Sequence, residues 1–257
     1  MTLDIFAWIA PFISVAIFSV FERNNKNLSF NHFDKRTKTI LSILFVTLIL
    51  NLLLSFYFLG PLVKFVAPSQ LISFSELDMP RVLNFILCFL LIDFVQYLMH
   101  RIHHQVPFLW RLHRLHHSEK EVDSYSTFLH HPVESLLVFI LLTIFFVIFD
   151  IPVIVILVYS IVQGLHSAFT HSKILVPQKI DFYLRRLIIT PNAHRLHHSF
   201  DKSEGNSNFG QLFLIWDKLL GTYEYRTNLE INQLIYGIDK KESPPQYNML
   251  TLLKNPF

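Results

Sequence analysis

Ile40 to Leu59 is a run of 20 residues without a single charge, and it sets the first limit on how this chain can fold. At about 1.5 Å per residue, a helix of that length crosses about 30 Å of bilayer hydrocarbon. Composition agrees with a membrane-embedded chain. Of the 257 residues, 52% are apolar and only 16% charged, and mean hydropathy is +0.40. An ordinary globular domain carries about a quarter charged residues. The net charge of +3 is small and the Lys and Arg are scattered, which argues against a nucleic-acid partner. Cys88, the single cysteine, lies inside an apolar run and reads as a small buried residue.

Other segments are ordered around that span. Ile5 to Phe21 reads as a retained span rather than a signal peptide, with Asp4 where a basic stretch should stand and no small-residue cleavage site after it. Glu22 to Thr39 is a basic loop, where His32 reads as solvated, and Gly60 to Pro80 is a connector with three prolines. The bias of Lys and Arg toward the cytoplasm places the basic loop inside and the connector outside. A third span, Val82 to Met99, then delivers His100 to the cytoplasmic face. The apolar stretch from Ser135 to about Leu165 is too long for one crossing and is broken by Asp150 and Pro152, so a hairpin is expected. The chain beyond Ser172 is more polar and should lie against the cytoplasmic side of the membrane, and the tail after Arg226, with Pro244-Pro245, looks peripheral. The expected fold is all-α: a membrane bundle of about four embedded segments, the last a hairpin, under a cytoplasmic helical cap. Its divisions are N-terminal spans (1–81), a catalytic domain (82–225) and an extension (226–257).

Histidine is the chemically informative residue. His-Arg-aliphatic-His-His occurs three times, as His100 to His104, His113 to His117 and His194 to His198, and carries nine of the 14 histidines. On a helix, residues i and i+4 share a face and i+3 flanks it. His100 and His104 can then offer two imidazoles, His113, His116 and His117 three, and His194, His197 and His198 three more, with His103 spare. The first two pentads read as half a site, and His171 with the third pentad as the other half. His166 and His171 are about 140° apart on a regular helix and can face one site together only if the helix ends or bulges between them; His171 is the stronger candidate. So many imidazoles exceed the four to six ligands of one ion, implying two metals, and nitrogen ligation suits iron, zinc or copper. Asp93, Tyr97, His100 and His104 share one helix face, and Asp93 is expected to accept a hydrogen bond from a ligand histidine. Glu134 either caps the helix after Pro132 or orients a histidine.

These motifs resemble the fatty acid hydroxylase superfamily, also called the sterol desaturase family. The resemblance rests on Asp93-x-x-x-Tyr97-x-x-His100-Arg101-x-x-His104, Trp110-x-x-His113-x-x-His116-His117-Ser118, His131-Pro132-Val133-Glu134, His171, and Thr190-Pro191-x-x-His194-x-x-His197-His198-Ser199. Asn208-Phe209-Gly210 and Trp216 to Tyr223 are similar to the family's closing segment. Leu129 and Lys173 stand where many members carry arginine and asparagine, departures that bear on substrate subclass. The resemblance implies an integral membrane oxidoreductase with two iron ions held by His100, His104, His113, His116, His117, His171, His194, His197 and His198. O₂ would be its co-substrate, and a fatty acyl, sterol or related membrane lipid would be hydroxylated or desaturated.

No Gly-x-Gly-x-x-Gly occurs, so electrons must come from a separate reductase or carrier. Gly-x-Ser-x-Gly and His-Glu-x-x-His are also absent, which weakens serine-hydrolase and zincin readings. Two rivals stand beside the oxygenase. A di-zinc lipid hydrolase would use the same imidazoles to activate water. A histidine-rich metal transporter would place its ligands near the bilayer midplane rather than at helix ends.

Overall fold

The computed structural model describes residues 2–24, 34–238 and 248–254; His32 and Pro244-Pro245 lie outside the described residues. Every regular element among the described residues is helical, with only isolated bridges at Ile188–Phe213 and Ser199–Tyr236.

α1 (Thr2–Asn24) packs along the later helix α7 (Val153–His171). Their closest approach explains a glycine in the middle of an apolar helix: a Cβ on Gly164 would stand 2.8 Å from the Pro11 ring. Ser14 Oγ donates to the Leu165 carbonyl in the same contact, at 2.5 Å.

α2 (Lys35–Leu54) continues through a π-helical turn, Ser55–Leu59, into α3 (Gly60–Val66) and a 3₁₀ turn, Ala67–Ser69. Gly60 was expected to open a connector; instead it sits inside continuous helix. Pro61 has no N–H to give to the preceding turn, and widening the ladder to a π turn just before it accommodates that loss. The connector proper is therefore short and is tied to the far end of the hairpin. Leu71 N donates to the Ile148 carbonyl at 2.9 Å and Phe74 N to that of Phe149 at 3.1 Å.

α4 (Arg81–Gln105) contains no Gly or Pro and ends at Val106, whose extended backbone (φ -90°, ψ 117°) turns the chain into α5 (Pro107–His117); the first turn of α5 tolerates Pro107 because that N–H has no intrahelical acceptor. α6 (Pro132–Ile148) and α7 form the expected hairpin. Asp150 makes the turn at φ 42° and accepts from Ser73 Oγ at 2.5 Å. Short asparagine and aspartate side chains are among the few that tolerate this left-handed region. Because α6 leaves from the histidine end and α7 returns to it, His171 arrives beside the pentads.

Short helices complete the chain: α8 (Gln178–Leu184), α9 (Pro191–His197), α10 (Lys202–Gly205), α11 (Ile215–Leu219), α12 (Asn228–Ile231) and α13 (Met249–Lys254). Three helical segments, Lys35–Ser69, α4 and α7, are long and apolar enough to cross a membrane, and α6 is a shorter apolar helix. Phe56, Phe65 and Val82 on these helices are exposed, and this is a membrane protein.

Two buried charges on the N-terminal helices pin the loops around the histidines. Glu22 accepts from Ser124 N at 3.1 Å and from Lys173 N at 2.7 Å, just past His171. Arg36 forks onto Glu119 and Asp123, just past His117.

Candidate metal centre

α4, α5, α7 and α9 end in one buried volume and bring nine imidazoles together. They sort into two nests, each with its ring nitrogens within 4.8 Å of one another: His100, His104, His113, His117 and His197 in one, His116, His171, His194 and His198 in the other. These are the nine histidines singled out in the sequence, but their division corrects one expectation. The first two pentads are not half a site and the third the other half, because the pentads interleave. In α5 the i, i+4 pair His113/His117 serves the first nest while His116 serves the second; in α9 the pair His194/His198 serves the second while His197 serves the first. Helix geometry produces this sorting, since i and i+4 differ by about 40° around the axis whereas i+3 and i+4 differ by about 100°. α4 gives only its pair, His100 and His104. The middle histidine, His103, turns its Nδ1 to the Met99 carbonyl of its own helix at 2.6 Å and joins neither nest.

The outer ring nitrogens fix which nitrogen faces inward. His100 Nδ1 lies 2.8 Å from the Phe209 carbonyl, His197 Nδ1 2.8 Å from that of Ser207, and His171 Nδ1 2.8 Å from that of Ser167. His113 Nδ1 lies 2.7 Å from a Glu134 carboxylate oxygen. A carbonyl or carboxylate can only accept, so these Nδ1 atoms carry the hydrogen and the Nε2 lone pairs point into the nests. In the first nest two of them face each other, with His100 Nε2 and His113 Nε2 3.2 Å apart; in the second, His171 Nε2 lies 3.1 Å from His116 Nε2 and 2.9 Å from His194 Nε2, two rings whose Nδ1 atoms have no hydrogen-bond partner. Lone pairs held at that distance repel unless a cation lies between them. An N–N separation near 3 Å is also what ligands at about 2.1 Å from one ion adopt. His104, His117 and His197 each present a buried Nε2 with no partner. The donor set therefore fits two nitrogen-loving metal ions.

Burial, reinforced by neighbouring imidazoles, pushes His116, His117, His194, His197 and His198 well below their ordinary value. Burial also lowers His113, partly offset by Glu134. Neutral rings are the form that binds metal.

The remaining candidates are placed as follows. Asp93 touches no histidine. Its carboxylate accepts from Tyr159 Oη at 2.8 Å, Trp216 Nε1 at 2.8 Å, Leu212 N at 3.1 Å and Phe213 N at 3.3 Å. The segment around Gly210 enters beside α4 and leaves its N–H groups to be satisfied there, which is the work Asp93 does. Tyr97 bonds Thr222 at 2.8 Å rather than facing a nest. His166 bonds the Gln211 carbonyl at 3.1 Å and stays outside both nests. His131 caps α6, accepting from Val133 N at 3.2 Å. Asn208, at φ 52°, clamps the Ala193 and Glu224 carbonyls and is architectural. Of the two readings of Glu134, the geometry selects the one that orients His113.

Sequence reasoning missed several partners. Asn206 Oδ1 is 3.3 Å from His104 Nδ1. His130 stacks on His116 with centroids 4.3 Å apart and lies 3.5 Å from Glu134. The carbonyls of Phe209, Ser207 and Ser167 carry no side-chain signal at all, whereas the i, i+4 spacing of His130 and Glu134 could have been read.

Comparison with known proteins then gives a consistent picture. The sequence model described as fatty acid hydroxylase matches residues 85–222, more than half of the chain. An ornithine lipid hydroxylase of Rhizobium tropici is 32% identical over 145 residues, 56% of this chain and 43% of its own length. An alkylglycerol monooxygenase of Caenorhabditis elegans is 28% identical, over 65% of this chain and 30% of its own length. A cholesterol 25-hydroxylase of Rattus norvegicus is 29% identical, over 53% of this chain and 45% of its own length. The chain thus spans less than half of each of these relatives. No solved structure matches it.

Proposed function

The chain belongs to the fatty acid hydroxylase family, and from that premise we propose that it is a membrane lipid hydroxylase or desaturase whose nine imidazoles hold two iron ions at the cytoplasmic face. The facing Nε2 atoms of His100 and His113, each with its Nδ1 hydrogen committed to an acceptor, are the observation that carries this reading. Relatives named ornithine lipid hydroxylase, alkylglycerol monooxygenase and cholesterol 25-hydroxylase support a lipid substrate and oxygenase chemistry.

Bound in the nests, the irons would supply O₂ activation for attack on an unactivated C–H bond, with electrons from a separate reductase or carrier. The chain's own groups do the rest. His100, His104, His113, His117 and His197 form the first ligand set and His116, His171, His194 and His198 the second. Glu134 and the Phe209, Ser207 and Ser167 carbonyls hold the rings in the tautomer that presents Nε2. Burial keeps water from the nests and the rings neutral. Residues 82–225 form the catalytic domain, and the exposed apolar faces of the spans hold the lipid's tail.

The test is a lipid analysis of a host expressing the wild type or His116→Ala, with and without O₂. An O₂-dependent product present only with the wild type is expected. A product formed equally without O₂ would overturn the oxygenase reading.

A further inference from the structure

Asp93 stands at the midpoint of α4, a helix long and apolar enough to be a span, yet everything it binds comes from outside that helix. Three of its four donors, Leu212 N, Phe213 N and Trp216 Nε1, belong to the segment running into α11. The Trp216 ring also packs on Phe94 with centroids 4.9 Å apart. This irregular segment therefore lies at the depth of the middle of a span. Non-helical backbone is tolerated at such depth only where protein groups satisfy it, and Asp93 supplies two backbone N–H groups with an acceptor. Gly210 begins the segment, and a Cβ there would stand 2.5 Å from the Phe213 carbonyl, so the tight fold of the strip needs glycine.

The neighbour of this strip is the stretch from α8 to Ile189. Leu214 N donates to the Leu187 carbonyl at 2.9 Å, Ile189 N to that of Leu212 at 2.9 Å, and Lys218 Nζ to that of Arg185 at 2.7 Å. The outward residues of the two strips are large and apolar: Phe182, Tyr183 and Leu187 are 53%, 55% and 59% exposed, and Leu219 is 68%. Two cations are set among them. Arg186 lies over the Phe182 and Tyr183 rings, and Lys218 over the Tyr223 ring at 5.4 Å. Aromatic and aliphatic residues with interspersed Arg and Lys are the pattern of surfaces seated at a bilayer interface, with apolar groups in the acyl region and cations at the headgroups.

We propose that α8 and α11, with the residues following each, form a lobe inserted in the same leaflet as the histidine end of α4, held there by Asp93 and contacting lipid hydrocarbon through Phe182, Tyr183, Leu187 and Leu219. The occupant of this apolar surface is bilayer lipid, because the surface is continuous with the span through Trp216 and Phe94. The proposal rests on α4 and Lys35–Ser69 being membrane spans, as the functional reading also does.

Single-cysteine labelling tests it, since the one native cysteine, Cys88, is fully buried. An environment-sensitive fluorophore is attached at Leu187→Cys or Leu219→Cys in the full chain, reconstituted in nanodiscs with and without spin-labelled phosphatidylcholine. Phe56→Cys reports the span surface and Leu229→Cys, 76% exposed on α12, is a reference position outside the two strips. Quenching at both lobe positions comparable to Phe56→Cys, and well above Leu229→Cys, is expected. Asp93→Ala should reduce quenching at Leu219→Cys but not at Phe56→Cys, and Asp93→Asn, which keeps an acceptor oxygen, should restore part of it. Lobe labels quenched no more than Leu229→Cys, beside a quenched Phe56→Cys, would overturn the lobe alone. An unquenched Phe56→Cys would overturn the span reading and the lobe with it.

Discussion

The two nests are built from the same parts in different proportions. The first takes two i, i+4 pairs, from α4 and α5, and a single histidine from α9. The second takes one pair from α9 and singles from α5 and α7. Behind the first stands a carboxylate, Glu134, at 2.7 Å from His113, whereas the second has the Ser167 carbonyl behind His171. The first thus has five nitrogens and a charged brace, and the second has four, one of them delivered by the return leg of a hairpin. Losing one donor should harm the second nest more.

The largest effect is expected from His198→Ala, which removes a quarter of the second nest. Metal content should fall from two ions to one and product formation by more than about 100-fold, the upper end of what loss of a mere outer partner causes. His117→Ala, which leaves its nest four nitrogens, should retain more metal; equal loss in both variants, by elemental analysis, would break the comparison. Glu134→Gln should come next. It weakens metal binding at the first nest by about 10- to 100-fold and leaves the second unaltered, and competition with a chelator would resolve one shifted step of two.

A pH effect follows from the depressed histidines of α5 and α9. Below about pH 6.5 the unfolded chain takes up protons that the folded chain refuses, so the metal-free protein should be most stable above that value and lose stability as pH falls below it. Thermal unfolding of the metal-free protein across that range checks the sign, and constant stability would contradict the neutral, buried rings. The smallest effect belongs to His103→Asn, since His103 bonds only its own helix. Both metals and full activity should remain.

Much of this was legible in the sequence because helix periodicity is local. The spans begun at Ile40 and Val82, the hairpin at Asp150 and eight of the nine convergent histidines follow from run lengths and i, i+3, i+4 spacing, while His171 rested on the family resemblance. The interleaving was not legible, because which nest a ring enters depends on how α5 and α9 are rotated against each other. Asp93 shows the same limit. Its place on the histidine face of α4 was readable, but three of its four partners, Leu212, Phe213 and Trp216, are more than a hundred residues away. The π turn before Pro61 was hidden because proline normally signals an end to helix, and here the ladder widened instead.

Metal identity and number test the two nests most directly. Protein purified from an iron-replete host without added chelator should contain two irons per chain by elemental analysis, and Mössbauer spectroscopy should resolve two iron sites in nitrogen-rich surroundings. Stoichiometric zinc with no iron, or a single iron shared by all nine histidines, would contradict it.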